Sequence, residues 1–239
     1  MSAHVSETQT MIAPNPTRTT LDAALAVSTD RLLRRLGHSA DRALSPRLSR
    51  QIDGAVDRVL DYARPWTTRR AHAIEVERGL VRIDRTLALR SFRLARSLRP
   101  CHTLYVYVVT LGNAVDQLIA RAMRRRPAFG VVLDAAASVA AESLVEQLHE
   151  EIADDLPPDQ TYSLPFSPGY CDWPLHEQQK LFALLPGEVD SAVALSPDHL
   201  MRPRKSIAGV IGIGPAELLD EIPSPCLACG REDCPYRRE

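Results

Sequence analysis

Apolar positions recur at helical spacing in the first quarter of the chain. Leu21, Leu25, Leu32, Leu33 and Leu36 share a face over residues 20–37, and Gly37 suits the position just past a helix end. Ser45 followed by Pro46 offers an N-cap with proline at N1. Leu48, Ile52, Val56 and Leu60 then form an i, i+4 stripe that Pro65 ends. The spacing predicts two amphipathic helices. Over residues 71–89 the period moves toward two: Ala73, Ile74, Val76, Leu80, Val81 and Ile83 alternate with Glu75, Glu77, Arg82 and Asp84 around Gly79, a hairpin pattern. Residues 91–98 read as a short helix. The β-branched and aromatic run 102–110 reads as a central strand ending at Gly112. Two helices follow over 113–125 and 129–155, meeting at Pro127, the second alanine-rich and suited to close packing. Beyond them, 162–168 is extended, 176–185 helical, and 193–214 holds one or two glycine-rich strands. The class is mixed helix and strand, without an internal repeat.

Composition narrows the functions available. A chain of 239 residues with 45% hydrophobic content builds a packed core. Its 29 basic and 30 acidic residues give a formal net charge of -1, which provides no broad attraction to nucleic acid or anionic lipid. Residues 1–20 are rich in Ser, Thr and Pro, lack a secretory pattern, and read as a disordered tail. Asp116, Arg121, Asp134 and Glu142 interrupt the most apolar half, so no membrane span is expected. The expectation is a cytoplasmic protein with reduced thiols.

The five cysteines then read as ligands, redox groups or buried thiols. Cys226, Cys229 and Cys234 lie close together in a segment opened by Pro223 and Pro225, and a C-x2-C turn lets two sulfurs face one ion. Cys171 is the preferred fourth ligand and Cys101 the other candidate. Structural zinc, an iron–sulfur cluster and free thiols all fit this spacing; a cluster would suit one-electron transfer.

Other signals are weaker. The glycines of 209–215 lack the spacing of a nucleotide-binding loop, and a strand with close backbone approach is the better reading. His72, His102, His176 and His199 show no metal-ligand spacing. The basic run 121–126 suits a helix C-terminus. No nucleophile–base arrangement stands out.

Residues 167–174 (Ser-Pro-Gly-Tyr-Cys-Asp-Trp-Pro) form a proline–glycine turn with two aromatics in a chain only 5% aromatic. Alone, it reads better as a structural turn over a packed tryptophan than as a ligand-presenting one. It is flanked by Ala-Glu-Ser-Leu-Val-Glu-Gln-Leu-His-Glu at 141–150 and Met-Arg-Pro-Arg-Lys-Ser-Ile-Ala-Gly-Val-Ile-Gly-Ile-Gly at 201–214. In this order the three segments resemble the activation domain of cobalamin-dependent methionine synthase, in its free-standing form. The Thr-Leu-Gly at 110–112 and Leu-Asp-Ala-Ala at 133–136 resemble its free-standing relatives. The resemblance covers roughly residues 32–215.

The resemblance implies an α+β fold, a twisted antiparallel sheet flanked by helices. An N-terminal helical segment (21–66) would precede an activation-domain-like core (67–222) and a cysteine-rich tail (223–239). It implies an accessory protein, a component of a methyltransferase system. Such a protein presents S-adenosylmethionine for reductive methylation of cobalamin held by a partner methyltransferase or corrinoid protein, with electrons from a flavodoxin or ferredoxin. Glu146, Gly169 and Tyr170 match the family's ligand-contacting positions, and Glu142 shares the face of Glu146. The family's arginine, four residues before the glycine, corresponds to Pro165, so either another cation such as Arg202, Arg204 or Lys205 takes its place or the donor site is weakened or lost. The rival reading is a redox protein that delivers electrons to a corrinoid protein through a cysteine-bound cluster; a third is a binding module with a zinc-stabilised tail.

Overall fold

The computed structural model describes residues 17–19, 25–38, 43–185, 187 and 189–224. Its centre is an antiparallel sheet built from β2 (Trp66–Glu77), β3 (Leu80–Ile83), β4 (Leu87–Arg90), β5 (Thr103–Thr110), β6 (Gln160–Tyr162) and β9 (Ser206–Pro215) in the order β4-β3-β2-β5-β9-β6. β1 (Thr17–Thr19) pairs with the start of β2. Residues 17–19 were expected in a disordered tail; they form a strand, and the rest of the tail lies outside the described residues. β7 (Ala194–Leu195) and β8 (Met201–Arg202) make a separate two-stranded ribbon. The long β2 bends the sheet by changing partners: Ala73 pairs with Thr103 of β5, whereas Ile74 pairs with Ile83 of β3.

Strand alternation divides the core in two. Tyr107 and Val109 of β5 join Ile211 and Ile213 of β9 under one helical layer. That layer comprises α1 (Thr29–Arg35), α2 (Pro46–Tyr62), α4 (Asn113–Arg125) and α5 (Pro127–Asp154). Leu104, Val106 and Val108 face the other way with Ala208 and Val210, under α3 (Phe92–Ser97), α6 (Gln178–Leu184), α7 (Val189–Ala192), α8 (Ala216–Asp220) and Trp173. The N-terminal helices thus share one core with α5. Gly212 is required by the second core: a Cβ there would collide with Leu98 and with the Sγ of Cys101, 2.5 Å away.

Helix starts follow the local chemistry. Ser45 accepts from the Leu48 N–H at 3.2 Å with Pro46 in the first turn of α2, and Ser91 accepts from the Leu94 N–H at 3.0 Å at the start of α3. The first helix is shorter than the periodicity of 20–37 suggests: Ser28 caps it, residues 25–28 are not helical, and 20–24 lie outside the described residues. The glycine-rich stretch is strand β9, as read. Among the described residues one helix, α5, is long and apolar enough to cross a membrane by length and composition. Of its most apolar stretch, 67% is buried inside the fold.

Candidate ligand-binding site

One face of α5 carries polar side chains every fourth residue: Asp134, Ser138, Glu142 and Glu146. Cations from two distant segments close over this stripe. Lys205 Nζ donates to the Asp134 carbonyl at 3.0 Å and to Ser138 Oγ at 2.8 Å, and lies 3.0 Å from the Asp134 carboxylate. Burial is the largest influence on Lys205 and lowers its pKa, against the raising effect of Asp134. Arg35 of α1 donates to Glu142 at 2.6 Å. Arg31 grips both Glu146 oxygens at 2.7 Å each and reaches Glu142 at 3.9 Å. Such a two-pronged guanidinium–carboxylate pair fixes direction as well as charge. Its hydrogen bond to Glu146 raises the pKa of Arg31, with burial opposing. Leu32, between the two arginines, is fully buried and anchors α1.

Further along α5, His149 is buried with its ring 5.0 Å from Tyr107 and 5.6 Å from Tyr162. Arg69 of β2 meets Glu151 at 3.5 Å and Asp155 at 3.7 Å. This end of the helix is acidic and its arginine is already engaged.

The turn at 167–174 is shaped by backbone geometry. Gly169 has φ +94°, a conformation open to glycine and strained for other residues, and its N–H donates to the Trp173 carbonyl at 2.7 Å. Trp173 N–H donates back to the Tyr170 carbonyl at 3.0 Å, and Cys171 also has positive φ, +51°. Asp172 anchors the turn to α3, accepting from Ser91 Oγ at 2.6 Å, from Phe92 N–H at 2.7 Å and from Arg93 N–H at 3.3 Å. Trp173 is 1% exposed beside Phe166, and its indole nitrogen is buried without a hydrogen-bond partner among the described residues. Tyr170 is 49% exposed. A shallow hollow of about 460 Å³, lined by Gly169, Cys171, Asp172, Trp173, Pro174 and Leu175, opens beside it.

The fold therefore brings Glu142 and Glu146 together in one charged seam, and Gly169 and Tyr170 together in one turn. The two pairs belong to different layers. The glutamates ride on the first helical layer, while the turn is rooted in the opposite core through Trp173. Residues 162–166 link the layers: Tyr162 stands by His149 on one side, and Phe166 pairs with Val210 and packs on Trp173 on the other.

Arg31, Arg35 and Asp172 were missed in the sequence. The signal for the arginines was present, since positions 31 and 35 repeat the i, i+4 spacing of 142 and 146. Cys171 is exposed, whereas Cys101 is buried and its thiol is pushed up to about 12. Cys226, Cys229 and Cys234 lie outside the described residues, and among the described residues no group of three or more His, Cys, Asp or Glu side chains could hold a metal ion.

No family model matches the chain, and no curated protein matches it by sequence. Among solved structures it is similar to the MetH reactivation domain, in a crystal structure bound to AdoHcy, with a TM-score of 0.64. The match covers 86% of this chain and 79% of that one at 13% identity. The fold is that of the MetH reactivation domain. The expectation of a twisted antiparallel sheet flanked by helices is thereby met, and at this identity the likeness concerns the fold alone.

Proposed function

We propose that this chain is an accessory reactivation protein, which binds S-adenosylmethionine and presents its methyl group to the cobalamin of a partner methyltransferase. The observation that carries this reading is the reactivation-domain fold, in a neighbour whose crystal structure holds AdoHcy. The order of an acid-bearing helix followed by a Gly-Tyr turn agrees with it. The ligand has a positive sulfonium, an ammonium, a carboxylate and a planar adenine. Glu146 offers a half-exposed carboxylate for the positive groups, with Glu142 one helical turn away. Gly169 lets a ligand approach the backbone closely, and the exposed ring of Tyr170 offers a flat apolar surface. The partner's cobalamin would supply the methyl-accepting cobalt. This chain's share is to bind and orient the donor, while a separate flavodoxin- or ferredoxin-type protein brings the electron.

Calorimetric titration of S-adenosylmethionine and S-adenosylhomocysteine into the full chain tests this. Saturable binding of both is expected, weakened at least about tenfold in Glu146→Ala through loss of a charge-assisted contact. Absence of saturable binding to the unaltered chain would sink the donor role.

A further inference from the structure

We propose that Arg31 recognises the carboxylate of the amino-acid head group while Glu146 takes its ammonium, so that the ligand's head inserts into the ion pair joining α1 to α5. This rests on the S-adenosylmethionine reading above and names the cation that reading lacks.

A zwitterionic head needs a cation beside the glutamate, and the cation that the structure sets against Glu146 is Arg31. Pro165 carries no charge. Lys205 is buried and committed to Asp134 and Ser138. Arg69 lies at the C-terminal end of α5, against Glu151 and Asp155 and not against Glu146. Arg31 grips both oxygens of Glu146, with a planar fork whose geometry suits a ligand carboxylate equally well.

Charge conservation favours the exchange. Insertion replaces one pair, Arg31 with Glu146, by two: Arg31 with the ligand carboxylate and the ligand ammonium with Glu146. Neither charge of the amino-acid head is left without a partner. Glu142, 3.9 Å from Arg31 and bound to Arg35, keeps a negative neighbour beside Arg31 throughout. The pair is also within reach of solvent, at 35% and 51% side-chain exposure, so the head enters without opening the core. Meanwhile the burial of Leu32 holds the α1 backbone still, and only the Arg31 side chain has to turn.

The test is calorimetry on the full chain with two ligands, S-adenosylmethionine and its decarboxylated form, which keeps the ammonium and sulfonium. Arg31→Gln should weaken S-adenosylmethionine about tenfold to a hundredfold and leave the decarboxylated ligand within about twofold. Arg31→Lys, which keeps the charge but loses the fork, should fall between, and it carries the test if the glutamine variant does not fold. Equal loss for both ligands would overturn the proposal, because the effect would then not concern the carboxylate. So would unchanged or tighter S-adenosylmethionine binding; tighter binding would mean that Arg31 competes for Glu146. Failure of the unaltered chain to bind S-adenosylmethionine defeats the parent reading, an outcome distinct from binding that ignores Arg31.

Discussion

The two halves of the candidate site are built by different physics. The seam between α1 and α5 is held by ion pairs whose side chains are roughly a third to a half exposed, so water and salt screen them and they can exchange partners. The turn at 167–174 is held by a buried tryptophan, positive-φ backbone and the carboxylate of Asp172 on three donors at the start of α3. One half can rearrange around a ligand; the other is formed before any ligand arrives. The proposed site thus combines an adaptable charged seam with a preorganised surface.

Substitutions should separate these halves by magnitude. Trp173→Ala empties the second core and should lower stability by about 3–5 kcal/mol in urea unfolding. Asp172→Ala leaves the Phe92 and Arg93 amides without their acceptor and should cost about 1–2 kcal/mol in the same measurement. Arg35→Gln, in the seam, should change stability by under about 1 kcal/mol, and the difference should shrink in about 1 M salt. A loss in Arg35→Gln as large as in Trp173→Ala would erase the contrast between an adaptable and a rigid half.

The thiols sharpen the same contrast without altering the fold at neutral pH. Peptide-resolved alkylation should label exposed Cys171 readily and Cys101 only on unfolding. Burial pushes the Cys101 thiol to about 12, above its ordinary value, so in the folded state it keeps its proton where the unfolded chain loses it. Its contribution is complete below the ordinary thiol range and drains away as pH climbs toward about 12. Thermal melting from neutral to strongly alkaline pH should show this decline, reduced in Cys101→Ala.

Much of the scaffold was legible because it rests on local patterns. The stripe of Leu48, Ile52, Val56 and Leu60 and the Ser45 cap place α2, and alternation around Gly79 places the β2–β3 hairpin. The start of β2 was not legible: Trp66–Arg70 lacks clean alternation because Thr67 and Thr68, both buried, sit where an apolar residue would signal a strand. Their place is set by pairing with β1 and β5, which no local window contains. The site divides similarly. Glu142, Glu146, Gly169 and Tyr170 stand out in the chain, but Arg31 meets Glu146 across 115 residues and Asp172 meets Ser91 across 81.

The position of β9 between β5 and β6 also orders events during synthesis. β6 leaves the ribosome first, yet its strand partner is Ile213, Gly214 and Pro215. The downstream Phe166 waits for Val210, and Ser163 for Gly212. A nascent chain ending before residue 206 has the α3 donors that anchor Asp172 but lacks the β9 edge on which residues 160–166 pair. The contacts of Ser163 and Phe166 therefore form only after β9 has been made, whereas the α1–α5 seam is complete in sequence by residue 146.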